Sequence, residues 1–89
     1  MSAKEHLQRV RELPCVVCKV MGINQSTPTQ AHHVESVRDA TSDFAVAAIC
    51  ADHHMELHRL SRREFERRTK LTPIDLLSLT IKQLDMRKS

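Results

Sequence analysis

Two short half-sites constrain this chain more than any other feature: "CVVC", which holds Cys15 and Cys18, and "CADH", which holds Cys50 and His53. Each sets two soft donors three positions apart, the spacing with which a backbone wraps one side of a tetrahedral ion. These are the only three cysteines in 89 residues, and an odd number cannot all pair as disulfides. With Cys-x-x-Cys among them and no signal-peptide pattern at the start, they read as reduced thiolates on a metal. We expect a structural Zn2+ on Cys15, Cys18, Cys50 and His53, tying an N-terminal knuckle to the start of a central helix. The competing reading makes the cysteines small buried apolar residues and His53 a solvated one, and it leaves both spacings unexplained.

Such a clamp suits the composition. A single domain of this length has a modest core, and small domains commonly add a metal or a disulfide to hydrophobic burial. Phe44 and Phe65 stand without any Trp or Tyr, so the core rests on Leu, Ile, Val and Met. No apolar run approaches the length of a membrane span, and we expect a cytoplasmic protein. A net charge of +3 permits a nucleic-acid partner without demanding one.

Five segments can be separated. "SAKEHLQRVREL" starts with the capping pair Ser2 and Glu5, carries Leu7, Val10 and Leu13 at helical spacing, and stops at Pro14. "PCVVCKVMGINQSTPTQ" contains the only Gly and reads as a knuckle followed by a loop. "QAHHVESV" and "DFAVAAICA" read as two strands joined by "RDATS", with a helix beginning near Asp52. "SRREFERRTK" restarts with the capping pair Ser61 and Glu64. In the last segment Thr72 is the expected N-cap, Pro73 the first helical residue, and Asp75 lies in the first turn. Ile74, Leu77, Ile81 and Leu84 form its expected apolar stripe, with Leu76, Leu79 and Met86 beside it, for core packing or a homodimer contact.

Histidines form a second constellation. Residues four apart share one face of a helix, so His54 and His58 can grip one object, whereas His53 lies about 100° away. "AHHV" supplies His32 and His33 on the preceding strand, and a hairpin leading into the helix can gather these imidazoles. Adjacent residues of a regular strand point to opposite faces, so His32 and His33 converge only where the strand ends or bulges. The bland reading leaves all four as exposed or core histidines.

The order CxxC…HH…CxxHHxxxH resembles the HNH endonuclease superfamily, the ββα-metal or His-Me finger proteins, in which two strands and a helix surround one divalent ion. The stretches "LPCVVC", "AHHV", "DFAVAAIC" and "DHHMELH" are most similar to a small phage and prophage branch that includes the recombination-enhancement nucleases. The resemblance covers residues 13–58. It implies an α+β fold: a ββα-metal core with a structural zinc knuckle, flanked by an N-terminal helix and C-terminal helices. One HNH-type nuclease domain would then span 1–89, with a basic helix at 61–70 and a last helix at 73–87.

What the resemblance implies falls residue by residue. His33 takes the position of the general base, His54 and His58 those of the helical metal ligands, and His32 the preceding position that usually also ligates. Cys15, Cys18, Cys50 and His53 take the structural zinc set, His53 standing where many relatives have a fourth Cys. The loop Asn of the family has no counterpart; Asp43 is the nearest polar candidate for supporting that loop. The implied activity is that of a metal-dependent DNA endonuclease or nickase, for bacteriophage or prophage DNA recombination, in a bacterial or phage-infected cell. The alternative is a non-catalytic, zinc-stabilised DNA-binding adaptor of a phage recombination system.

The chemistry fits these residue types. An imidazole accepts a proton near neutral pH, and a cation stabilises the charge that develops when a phosphodiester is cleaved. The expected catalytic ion is Mg2+, Mn2+, Zn2+, Ni2+ or Co2+, and an imidazole-rich site favours the transition metals. Arg59, Arg62, Arg63, Arg67 and Lys70 recur at three- and four-residue steps. They form a sequence-independent phosphate track on duplex or branched DNA, or else a solvated face paired locally with Glu64 and Glu66. Expected partners are DNA and a recombinase or other phage protein, with the chain a monomer or weak homodimer.

Overall fold

The structure is a computed structural model, and it describes residues 2–34 and 42–87. Chain order is α1 (Ala3–Arg11), α2 (Val16–Met21), β1 (Thr29–His33), β2 (Val46–Cys50), α3 (Ala51–Arg59), α4 (Arg62–Thr69) and α5 (Pro73–Met86). The fold is mixed α+β, with a small two-stranded sheet among helices.

Local chemistry accounts for most boundaries. The Ser2 hydroxyl accepts the Glu5 N–H and starts α1; Ser61 does the same for Glu64 at α4. At α5 the box is complete, Thr72 and Asp75 exchanging both side-chain-to-backbone bonds behind Pro73. The expected knuckle after Pro14 is a short helix. Cys15 caps it by accepting the Cys18 N–H on sulfur, and Gly22 closes it in the left-handed region at φ 69°. The strands are shorter than expected. Residues 35–37, taken as the end of the first strand, and most of the expected joining loop lie outside the described residues. On the other side, the Ala45 N–H closes a turn on the Ser42 carbonyl, which keeps Asp43 and Phe44 out of β2.

β1 and β2 pair antiparallel in unbroken register, from Thr29 opposite Cys50 to His33 opposite Val46. β2 is buried along its whole length, so both its faces need cover. Ala47 and Ile49 pack on one side with Val16, Val17, Phe65, Leu71 and Leu76. Val46 and Ala48 pack on the other with Val10 and Leu13, against Leu7 and Leu84. Among the described residues no helix is long and apolar enough to cross a membrane.

The last helix is turned from its expected face. Ile74 and Ile81 of the expected stripe are about half exposed, at 51% and 54%, whereas Leu76, Thr80 and Gln83 are buried. The free edge of β2 explains the turn. Its Ala48 N–H has no strand to bond on that side, and the Thr80 hydroxyl accepts it at 2.9 Å while donating to the Leu76 carbonyl at 2.8 Å. The Gln83 amide donates to the Pro14 carbonyl at 3.3 Å, just ahead of Cys15. Two polar side chains with backbone partners outrank two apolar ones, because an unpaired amide in a core is expensive. Thr80→Val keeps the volume and strands the Ala48 amide. It should cost about 1–3 kcal/mol in urea unfolding, and an unchanged midpoint would deny this bond its role in docking α5.

Candidate metal centres

Cys15 and Cys18 come from the start of α2, Cys50 from the end of β2, and His53 from the first turn of α3. Their ligating atoms converge within 4.8 Å of one another. The His53 Nδ1 lies 3.8, 3.5 and 3.2 Å from the sulfurs of Cys15, Cys18 and Cys50, and the Cys18 and Cys50 sulfurs are 3.8 Å apart. Zinc bonds of about 2.3 Å to sulfur and about 2.0 Å to nitrogen give tetrahedral edges of roughly 3.8 and 3.5 Å. The four residues can therefore bind a metal such as zinc without rearrangement.

A cation would suit the three sulfurs. All three cysteines are buried and none is in a disulfide. Burial, followed by the neighbouring sulfurs of Cys15 and Cys50, pushes the Cys18 thiol up to about 12. Burial also acts to raise Cys50, but the His53 amide, the Thr27 hydroxyl and the other two sulfurs outweigh it and hold Cys50 below the usual thiol range. Adjacent thiolates repel in a dry pocket, and a divalent ion removes that conflict. A polar shell, not foreseen from the sequence, holds the loop after α2 against the cluster. Gln25 accepts the Cys15 N–H at 2.7 Å and donates to the Thr27 carbonyl and the Thr29 hydroxyl, both at 2.8 Å. Thr27 in turn accepts the Asp52 N–H at 3.1 Å. No sequence signal marks Gln25, because its partners lie at irregular separations.

A second group forms across the hairpin. His32, His54 and His58 also offer ring nitrogens within 4.8 Å of one another. Ring centroids are 4.9 Å apart for His32 and His54, 5.7 Å for His32 and His58, and 4.7 Å for His54 and His58. His32 is buried, at 8% exposure, and His58 is exposed, so the trio is closed beneath and open above. Burial first, then the neighbouring imidazoles, lowers the pKa of His32 to about 4; burial and His58 lower that of His54. Both are then neutral at pH 7, the form with a lone pair for a metal. The His54 Nδ1–H donates to the side-chain Oε1 of Gln30 at 2.8 Å, leaving Nε2 as the atom free to ligate. Gln30 was missed from the sequence. The period of two along β1, which puts Gln30 on the face of His32, is the signal that finds it.

His33 does not join this group. The register is regular, without the bulge that would have made both histidines converge. His32 turns toward α3, and His33 turns to the opposite face, where its Nε2–H donates to the Asp43 carboxylate at 2.9 Å. Both partners are part-exposed, at 44% and 45%. A carboxylate only accepts, so the neutral ring keeps its proton on Nε2 and its lone pair on Nδ1.

The basic segment is not one continuous stripe. α3 ends at Arg59, Leu60 is extended, and α4 begins afresh behind Ser61. Arg62 pairs with Glu66, and Arg67 and Arg68 both pair with Glu64. Among the described residues no ion pair engages Arg59, Arg63 or Lys70, and all three are exposed.

Comparison of the chain with protein-family models, curated proteins and solved structures finds no match to any of them. The two clusters therefore rest on their own geometry. Three buried cysteines and a half-buried histidine would make a closed centre, whereas three imidazoles open to solvent on one side would leave coordination positions for other ligands. Cys18→Ser should lose the tightly held ion and most of the fold, because metal-binding energy is folding energy here. The pair His54→Ala and His58→Ala should keep that ion and the helical circular dichroism but take up no second one. Gln30→Leu should weaken the second ion by about 10–100-fold in a cobalt titration. A well-folded parent without zinc would remove the closed centre, and unchanged second-ion uptake in the double variant would remove the open one.

Proposed function

We propose that this chain is a metal-dependent DNA endonuclease or nickase of the HNH, ββα-metal type. One observation carries the reading: His32, His54 and His58 form an open trio of imidazoles, and the next residue of β1, His33, is a fourth imidazole oriented by the Asp43 carboxylate. Purely structural histidines have no need of that division of labour. The order of hairpin then helix around the trio also matches the resemblance of residues 13–58 to that superfamily.

In this reading His32, His54 and His58 hold a divalent ion, Mg2+, Mn2+, Zn2+, Ni2+ or Co2+. When bound, the ion supplies positive charge against the anion that develops on the phosphate. His33 takes the proton of the attacking water on Nδ1. Asp43 fixes the ring through Nε2–H and stabilises the imidazolium that results, doing for the base what the absent loop Asn would otherwise do for the loop. Cys15, Cys18, Cys50 and His53 take no part in the chemistry and hold the frame.

DNA contacts fall first to Arg59, Arg63 and Lys70, which no carboxylate pairs among the described residues. Such contacts favour the phosphate backbone over sequence. A recombinase or other phage protein remains the proposed partner class, with the chain a monomer or weak homodimer.

Plasmid nicking with added manganese, with and without chelator, tests the activity. His33→Ala should lower the rate by about 10²–10⁴ while DNA binding, fold and both ions persist. Asp43→Asn should retain part of the rate, since the ring keeps a partner but loses the charge. Excess manganese should rescue His54→Ala in part and His33→Ala not at all. Cutting by His33→Ala at the parent rate would remove His33 as the base, and a parent that nicks no plasmid with manganese would return the chain to the adaptor reading, which needs only the Cys3His centre and the arginines. Separately, Arg59→Ala with Arg63→Ala should flatten the salt dependence of DNA binding by about 1–2 units of slope, and more than Arg62→Ala with Arg67→Ala does.

A further inference from the structure

The C-terminal helices close a cavity of about 400 Å³ against the histidine trio. One wall carries His32 and His58, the other is made by Leu60, Pro73 and Leu76, and Arg62 stands among them. Neither α4 nor α5 belongs to the hairpin and helix that carry the histidines, so this wall is an addition by the rest of the chain.

We propose that this cavity seats one unstacked nucleoside of the strand being cut, so that the protein selects DNA with an unpaired nucleotide beside the scissile phosphate. The inference rests on the nuclease reading and narrows its substrate. Three kinds of chemistry meet in the cavity, and a nucleotide has the matching three parts. Its phosphate faces the imidazole wall, its flanking phosphate meets Arg62, and its base and sugar cover the aliphatic wall. Arg62 donates through Nε to Glu66 at 3.2 Å, which leaves both terminal amino groups for a phosphate. A volume of about 400 Å³ sits at the small end of the roughly 300–1,000 Å³ typical of small-molecule sites, right for one nucleoside and closed to a duplex.

The selectivity follows from stacking. A base in intact duplex must leave its pair and both neighbours before it can enter a cavity, and at a bulge or flap most of that cost is already met. With no Trp or Tyr in the chain, the seat is aliphatic and imidazole rather than an aromatic platform, so it holds a single base and not a run of single strand.

The test uses the full chain in its two-metal form and three DNAs of one sequence: fully paired, with one unpaired nucleotide, and with a flap. The parent should cut beside the unpaired nucleotide at least about tenfold faster than the paired duplex, a difference of about 1.4 kcal/mol. In the His33→Ala background, 2-aminopurine at the unpaired position should change its fluorescence on binding, and at the paired position it should not. Leu60→Trp, which fills the cavity, should abolish both the signal and the preference in binding, with metal content and circular dichroism unchanged. Equal cutting of all three DNAs, or a 2-aminopurine signal that survives Leu60→Trp, overturns the nucleoside seat and leaves the nuclease reading standing. A chain that cuts none of them yet gives the position-specific signal keeps the seat and loses the nuclease.

Discussion

The junction of Cys50 and His53 with the α2 knuckle is the constraint from which the rest of the molecule takes its arrangement. Cys50 is both the last residue of β2 and the cap position of α3, and its sulfur faces the metal cluster. Once His53 faces the sulfurs, the rotation of α3 about its own axis is set. His54, about 100° further round, then points across to β1, and His58 follows one turn later. The closed centre thus aims the open one. A chain whose core contains only one buried aromatic side chain, Phe65, has few other means of holding a helix to that accuracy.

The two centres differ in electrostatics as much as in shape. Three thiolates in a dry pocket would offset a divalent charge and more, so an ion there would be screened and structural. Three imidazoles, two of them driven toward the neutral form by burial, would leave an ion its full charge and one side of it open. Gln30 and Asp43 show the same economy in the second layer. Each takes the spare N–H of one histidine, which decides the nitrogen on which that ring is free to act.

Polar side chains also fix the last helix. β2, buried on both faces of a two-stranded sheet, leaves amides along its outer edge, and Thr80 answers one of them. The price of that bond is the exposure of Ile74 and Ile81, which hydrophobicity alone would have turned inward. With α5 so placed, its first turn closes the cavity beside His58, and the helix contributes to the site as well as to the core.

Much of this was legible in the sequence, and for local reasons. Ser2, Ser61 and the Thr72–Pro73–Asp75 group mark helix starts because a cap is satisfied within three residues of itself. The ligand pairs are legible because a metal imposes short spacings, and His54 with His58 because a helix repeats within four residues. The unmarked features all join distant parts of the chain. His33 and His32 were read together as "HH", and only the regular register of β1 sent one to α3 and the other to Asp43. The five basic residues were read as a track, and only the break at Leu60 and the pairs with Glu64 and Glu66 separated neutralised charges from free ones. Periodicity identified α5 as a helix, but its buried face depended on an amide of β2 that lies 32 positions away. Sequence determines what a residue can do for its near neighbours; which way it turns among several possible partners is decided by the packed fold, because there a buried polar group left without a partner costs more than an apolar one left outside.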